Sequence, residues 1–241
     1  MEEKRISIVT INKNNRGGLE RTIDSVLSQT FFDKIDYIII DGGSTDGSKE
    51  LIEQHNDKLY YWCSEQDNGI FNAMNKGLEH CDGDYVLYLN SGDFLRQNDI
   101  IELVYDQLDT DIVYGNEYMF RHINAIVSYT NMTMGNGWTS TYPNVLDENF
   151  FKNSALPHQS TFISVKYHKQ HPYREDCVVA GDWTFFREAV MKYGATYKHI
   201  PFVISNYGLD GISSKQYSVF KKEKDEYYKN LTNENSSSMH R

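Results

Sequence analysis

Three polar residues stand where an apolar run breaks off into small polar residues: Asn12, Asp41 and Asp93. Tyr85-Val86-Leu87-Tyr88-Leu89 ends in Asn90-Ser91-Gly92-Asp93, and Tyr37-Ile38-Ile39-Ile40 ends in Asp41-Gly42-Gly43-Ser44-Thr45-Asp46-Gly47-Ser48. Continuous β-forming runs of this kind read as buried strands of a mostly parallel sheet. In such sheets ligands sit just beyond the carboxyl ends of the strands. A carboxylate at Asp93, on a tight Ser-Gly turn, is well sited to hold a hard cation over a phosphate. Asp41 can accept a hydrogen bond from a base imino N–H, and equally it can cap a helix from its Asp-Gly turn.

The chain that must position these groups has 241 residues, 39% of them hydrophobic and 24% charged, which describes a globular protein. A formal net charge of -10 with no basic stripe in the first two hundred residues argues against nucleic acid as a partner. The three cysteines, Cys63, Cys81 and Cys177, form no CxxC pair, so neither a disulfide framework nor a zinc knuckle is indicated and a reducing compartment fits. No run approaches the ~20 apolar residues of a membrane span. The opening Met1-Glu2-Glu3-Lys4-Arg5 runs straight into a strand, unlike a signal peptide. The expectation is a cytoplasmic protein, with peripheral contact to the inner face of a membrane left open.

Strands are expected at Ile6–Ile11, Tyr37–Ile40, Leu59–Cys63, Tyr85–Leu89, Asp111–Gly115, Thr161–Ser164 and Thr196–Ile204. Helices are expected at 19–29, 49–55, 70–80, 99–108 and 183–193. The alternation means βαβ units and a doubly wound sheet. From Tyr118 to Phe151 the residues are polar, aromatic and aperiodic, which reads as a loop-rich insertion over one side of the sheet. Helical spacing returns at Tyr217, Phe220, Tyr227, Tyr228 and Leu231. That tail either packs on the body or, with Lys221, Lys222 and Lys224 interleaved, lies on an anionic membrane. No GxGxxG follows the first strand and no GxxxxGK[ST] occurs, so neither a standard dinucleotide fold nor a P-loop protein is indicated. Asp182, just before Trp183, is by itself an ordinary helix cap.

Taken in order, Ile6–Ile11, the Ile40–Ser48 stretch, Glu65-Gln66-Asp67-Asn68-Gly69-Ile70-Phe71-Asn72-Ala73-Met74-Asn75-Lys76-Gly77 and Tyr88–Asp93 resemble family 2 glycosyltransferases, inverting enzymes with the GT-A fold. The third motif resembles the subgroup that builds bacterial capsule, exopolysaccharide and glycolipid sugars. The resemblance implies one glycosyltransferase domain over 1–241. Residues 1–115 would form a nucleotide-sugar half, 116–214 an acceptor and catalytic half, and 215–241 a C-terminal helix and tail. It places Thr10, Asn12, Asp41, Asp67, Asn75, Lys76, Asn90 and Ser91 around the donor, Asp93 on Mn2+ or Mg2+, and Asp182 as catalytic base. His158 and Gln159 match a His-Gln pair of the subgroup whose role the sequence leaves unassigned. Trp183, with Trp138 and Tyr142, is a candidate for stacking on sugar faces or for packing. Asp210-Gly211-Ile212-Ser213 resembles a late loop of the subgroup.

Two positions depart from the pattern. Gly92 stands where many members carry the acid that touches the ribose. Met74 stands where many carry an arginine on the nucleotide, with Lys76 nearby as a substitute cation. The implied reaction is inverting transfer of a sugar from a nucleoside-diphosphate donor to a hydroxyl of a glycan or lipid-linked acceptor. The competing reading, motivated by Gly92, is a non-catalytic nucleotide-sugar-binding or scaffold subunit. A sugar nucleotidyltransferase would need a glycine-rich basic loop after the first strand, and Asn12-Lys13-Asn14-Asn15-Arg16-Gly17-Gly18 is a poor match to one.

Overall fold

The computed structural model describes residues 3–121, 137–209 and 216–238. Its sheet runs β3-β2-β1-β4-β8-β6-β9-β5, with β7 (Gly137–Ser140) paired to β6. The first four strands are β1 (Ile6–Asn12), β2 (Ile35–Asp41), β3 (Tyr61–Ser64) and β4 (Tyr85–Tyr88), all parallel. Then β8 (Thr161–Ser164) pairs antiparallel with both β4 and β6 (Ile112–Phe120). Strand β9 (Tyr197–Gly208) runs parallel to β6, and the short β5 (Phe94–Leu95) pairs antiparallel with β9. Direction fixes what each strand delivers. The carboxyl ends of β1, β2, β4, β6 and β9 and the amino end of β8 all come to one edge of the sheet.

Both faces are covered, which is why β1, β2 and β4 are apolar on alternate and on consecutive positions. On one face Leu19, Ile23 and Val26 of α1 (Arg16–Leu27), Leu51 and Ile52 of α2 (Ser48–Gln54) and Ile101 and Val104 of α4 (Ile100–Tyr105) pack on Ile6, Ile8, Tyr37 and Ile39. On the other, α3 (Ile70–Glu79) lays Phe71, Met74 and Leu78 against Val9, Ile38 and Ile40. Each such fully buried aliphatic or aromatic side chain contributes ~1.5–3 kcal/mol over exposure. Gly77 lets α3 close on the sheet, since a Cβ there would meet Val9 Cγ1 at 2.4 Å.

The differences from the sequence reading are local. Strand β6 continues beyond Gly115 to Phe120 and β9 beyond Ile204 to Gly208, because their polar ends find partners in the sheet. Within the stretch read as irregular lie β7 and α5 (Glu148–Asn153), and α6 (Val165–Gln170) follows β8. The four-residue β7 and six-residue α5 and α6 are too short for a periodic pattern to declare itself. Residues 122–136 of that insertion and the 210–213 loop lie outside the described residues. The tail forms α8 (Tyr217–Ser238), whose Phe220, Tyr227 and Tyr228 pack against the body. Those three aromatic side chains are therefore turned inward, while Tyr217, Lys221 and Lys222 are exposed. Among the described residues no helix is long and apolar enough to cross a membrane.

Candidate active site

Asn12 and Asp41 are register partners at the ends of β1 and β2. Asn12 donates Nδ2–H to Asp41 Oδ1 at 2.7 Å and to Ser44 Oγ at 3.2 Å. Asp41 also accepts from Ser44 N (2.9 Å), Ser44 Oγ (2.5 Å) and Ser64 Oγ (2.6 Å). Burial opposes its ionisation, but these donors outweigh burial and hold its pKa below the ordinary carboxylate value. Asn12 Oδ1, by contrast, is buried with no partner among the described residues.

Asp67 lies against this strand end. A Cβ on Gly42 would meet Asp67 Oδ2 at 2.2 Å, and Lys13 Nζ stands 3.6 Å from Asp67 Oδ1. The other residues expected on the donor are placed differently. Thr10 is fully buried within β1, its Oγ1 3.1 Å from the phenol oxygen of Tyr37. Asn75 uses its amide to tie α3 to the next segment, donating to Tyr173 O and Glu175 Oε1 and accepting from Tyr173 N. Lys76 pairs with Glu65 at 2.7 Å.

The turn after β4 is fastened to α1. Thr22 Oγ1 donates to Asp93 O at 2.7 Å and accepts from Gly92 N at 3.0 Å, while Asn15 Nδ2 donates to Ser91 O at 2.8 Å. Gly92 has φ +108°, a conformation that side-chain-bearing residues rarely adopt. An acid at that position would strain the turn in this conformation. Asp93 is 7% exposed, and its Oδ1 accepts from Gly208 N at 3.0 Å. Burial pushes its pKa to about 7, against the pull of that hydrogen bond and of His158 and Arg21.

Asp182 arrives from far along the chain, in the first turn of α7 (Gly181–Met191), where the helix dipole favours a carboxylate. Gly181 brings this turn hard against Phe71, whose ring a Cβ would meet at 2.7 Å. Asp182 Oδ2 lies 2.8 Å from His158 Nδ1, and His158 Nε2 lies 3.0 Å from Asn90 Nδ2. With Asn90 donating to Nε2, the neutral imidazole carries its proton on Nδ1 and gives it to Asp182. Burial works against a charged His158, yet Asp182, Asp93 and Glu117 together hold its pKa above the ordinary value.

His158 precedes β8, so its place beside the end of β4 follows from the antiparallel pairing of those strands. Its neighbour Gln159 donates to Glu117 Oε2 at 2.6 Å, and Glu117 also accepts from Tyr142 OH at 2.6 Å. Glu117 is a buried carboxylate, its pKa raised by burial. The sequence reading missed it; the signal was an acid at the carboxyl end of an apolar strand. Trp183 is fully buried with its Nε1–H on Phe151 O. It is a core residue, corrected from a sugar-stacking candidate.

Against known proteins, residues 7–172 match the model of glycosyl transferase family 2. The chain belongs to glycosyl transferase family 2. Among curated relatives, a glycosyltransferase of Mycobacterium tuberculosis is 38% identical over 96 residues, 40% of this chain and 37% of that protein. A Bacillus subtilis protein whose name assigns it to teichuronic acid biosynthesis is 34% identical over 91 residues, 36% of each chain. The chain thus spans little more than a third of the length of these relatives. Among solved structures, TarS of S. aureus in complex with UDP superposes with TM-score 0.65 at 16% identity, over 89% of this chain and 63% of that one. A mannosyltransferase of Pyrobaculum calidifontis in complex with GDP-Man and Mn2+ gives 0.62 at 14%, over 86% and 57%. At these identities the likeness is one of fold, and the fold of this family 2 chain is GT-A.

The residues present fit a divalent cation in one particular way. Among the described residues no three His, Cys, Asp or Glu side chains converge to cage a metal. Asp93 keeps Oδ2 beyond its bond to Gly208, and Asn90 Oδ1 is a buried oxygen with no partner among the described residues. Such hard donors suit Mg2+ or Mn2+ when a diphosphate and waters complete the shell.

Proposed function

We propose that the chain is an inverting glycosyltransferase that moves a sugar from a nucleoside-diphosphate donor to a hydroxyl of a cell-surface glycan or of its lipid-linked precursor. The observation that supports it is the bridge Asn90–His158–Asp182. It joins the turn that carries Asp93 to the helix start that carries Asp182, so an acid for a cation and an acid for a proton share one site. The named relatives of the family and the capsule-type motif at 65–77 support the cell-surface setting.

Asp182 takes the proton of the acceptor hydroxyl as its oxygen bonds to the anomeric carbon. The bond from that carbon to the diphosphate breaks, and its electron pair leaves with the phosphate oxygen. One displacement aided by one base inverts the configuration. Asn12 and Asp41 hold the base of the nucleotide, with Asp67 on the donor side. Asp93 and Asn90 are the residues that would hold Mn2+ or Mg2+, which when bound supplies Lewis-acid stabilisation of the departing diphosphate. His158 serves worse as base than Asp182, because its Nε2 already meets Asn90 and its Nδ1 meets Asp182.

The test is diphosphate release from a panel of UDP- and GDP-sugars with Mn2+. Release above the uncatalysed rate is the expected result. Saturable nucleotide-sugar binding with no release would replace this reading with that of a non-catalytic binding subunit.

A further inference from the structure

The C-terminal helix reaches the site from behind. Glu223 of α8 points its carboxylate at three successive backbone amides: Oε1 accepts from Val178 N at 2.6 Å, and Oε2 accepts from Val179 N at 3.0 Å and Ala180 N at 2.8 Å. These amides belong to the segment that leads directly into α7. Ala180, the residue before that helix, has no side-chain cap of its own. Successive backbone N–H groups turned to one side make an anion-binding concavity, and charge-assisted hydrogen bonds of this type are about twice as strong as neutral ones.

The rest of the docking contact stiffens the same unit. Tyr227 OH accepts from Arg187 of α7 at 2.8 Å and donates to Glu188 at 3.1 Å. The Tyr227 ring stands edge-on to Trp183, with centroids 5.4 Å apart. Lys224 Nζ donates to Lys152 O at 2.9 Å and sits 5.0 Å from the Trp183 ring centroid. Asp182 lies between the clamped amides and this packed tryptophan, so its backbone is held from both sides while its carboxylate faces His158.

We propose that Glu223 is a positioning residue for Asp182: the carboxylate of the C-terminal helix fixes the backbone from which the base projects. The inference rests on Asp182 being the base. Glu223 touches no substrate; it acts through the 178–180 backbone, and a base misplaced by a fraction of its hydrogen-bond reach loses turnover without losing donor affinity.

The test is a double-mutant cycle on diphosphate release, using the most active nucleotide sugar of the panel with Mn2+. Glu223→Ala is expected to lower kcat at least ~10-fold with donor KM little changed, and Glu223→Gln, which keeps one acceptor oxygen, to fall between it and the parent. Formate, a small carboxylate that fits the emptied amide pocket, is expected to restore part of the Glu223→Ala activity and to leave the parent protein unaffected. In an Asp182→Asn background Glu223→Ala is expected to add little further loss, as for two residues acting as one unit. Wild-type kcat in Glu223→Ala or Glu223→Gln overturns the inference. So does an equal loss in Lys224→Ala, which weakens helix docking but leaves the clamp, or a fully additive loss in the double variant. Should Glu223→Ala not fold, the kcat and KM of Glu223→Gln decide alone. Full turnover in Asp182→Asn is a separate outcome that removes the base reading itself, and this inference with it.

Discussion

His158 gives its Nδ1–H to Asp182 Oδ2 across 2.8 Å, and that single contact joins two segments that the sequence keeps apart. Its consequence is a carboxylate anchored at both oxygens, Oδ2 on His158 and Oδ1 accepting from Trp183 N at 2.7 Å, with the second lone pair of each oxygen left to meet a hydroxyl.

Replacing Asp182 by Asn keeps shape and, through the amide oxygen, one of the two hydrogen bonds the carboxylate accepts, but removes proton-accepting power. The expected loss in turnover is ~10²–10⁴-fold, the usual worth of a general base, with donor affinity preserved. Steady-state diphosphate release and calorimetric titration with the donor check the two halves. Undiminished turnover in a purified, folded sample would contradict the assigned role.

His158→Phe removes both ends of the bridge while filling a similar volume. Asp182 and Asn90 then lose their common partner, and turnover is expected to drop by ~10-fold or more while the donor still binds. A rate equal to wild type would mean that Asp182 needs no such support.

Asp93 gives a pH signature with a defined sign. Its folded pKa, raised by burial to about 7, exceeds the ordinary carboxylate value, so across the window between them the folded state binds the proton and the unfolded state does not. The contribution of Asp93 to the stability of the metal-free protein therefore falls as pH rises from about 4 to about 7, then levels off. His158, its pKa held above the ordinary histidine value, adds a separate fall only from about 6.5 upward, as it loses its proton. Asp93→Asn is expected to reduce the slope. Melting temperatures measured across that window for both proteins decide it, and parallel curves would refute the burial cost.

His168 opposes Asp93 over much of the same window. It is fully buried among Tyr88, Tyr173 and Phe185, with Nδ1 donating to His171 O at 3.1 Å, and burial drops its pKa to about 3. The unfolded chain takes up a proton below the ordinary histidine pKa and the folded one does not, so this group destabilises the fold as pH falls through about 6.5 toward about 3. His168→Phe is expected to flatten that part of the acid profile in chemical denaturation. An unchanged profile would show that other groups dominate it.

Gly92→Asp would restore the acid that many family members carry. Because Gly92 has φ +108°, the substitution is expected to cost ~1–3 kcal/mol in unfolding free energy. Denaturant titration reads the cost, and metal-dependent nucleotide affinity is expected to stay flat or fall. A variant as stable as the parent with tighter Mn2+-dependent binding would show that the turn can relax.

The sequence by itself determined the parallel βαβ half and its polar strand ends. Apolar runs such as Tyr37–Ile40 and Tyr85–Leu89 can only be buried strands, and whatever ends them emerges at the carboxyl edge where ligands bind. It also carried the family, because the motifs at Asp41, Asp67 and Asp93 are contiguous stretches. Only the tertiary structure decided which of these residues are available. Thr10 and Trp183 carry polar groups that fit a sugar nucleotide, and both are buried in the core. Asn75 is engaged by Tyr173 and Glu175. Tertiary structure alone also gave His158 its partners and brought Glu117 and Glu223 into account. Their roles depend on the antiparallel β4–β8 pairing, on β6 running past Gly115 and on α8 folding back over α7. Those are contacts between segments tens of residues apart, and local periodicity, which reports only which face of an element is apolar, holds no record of them.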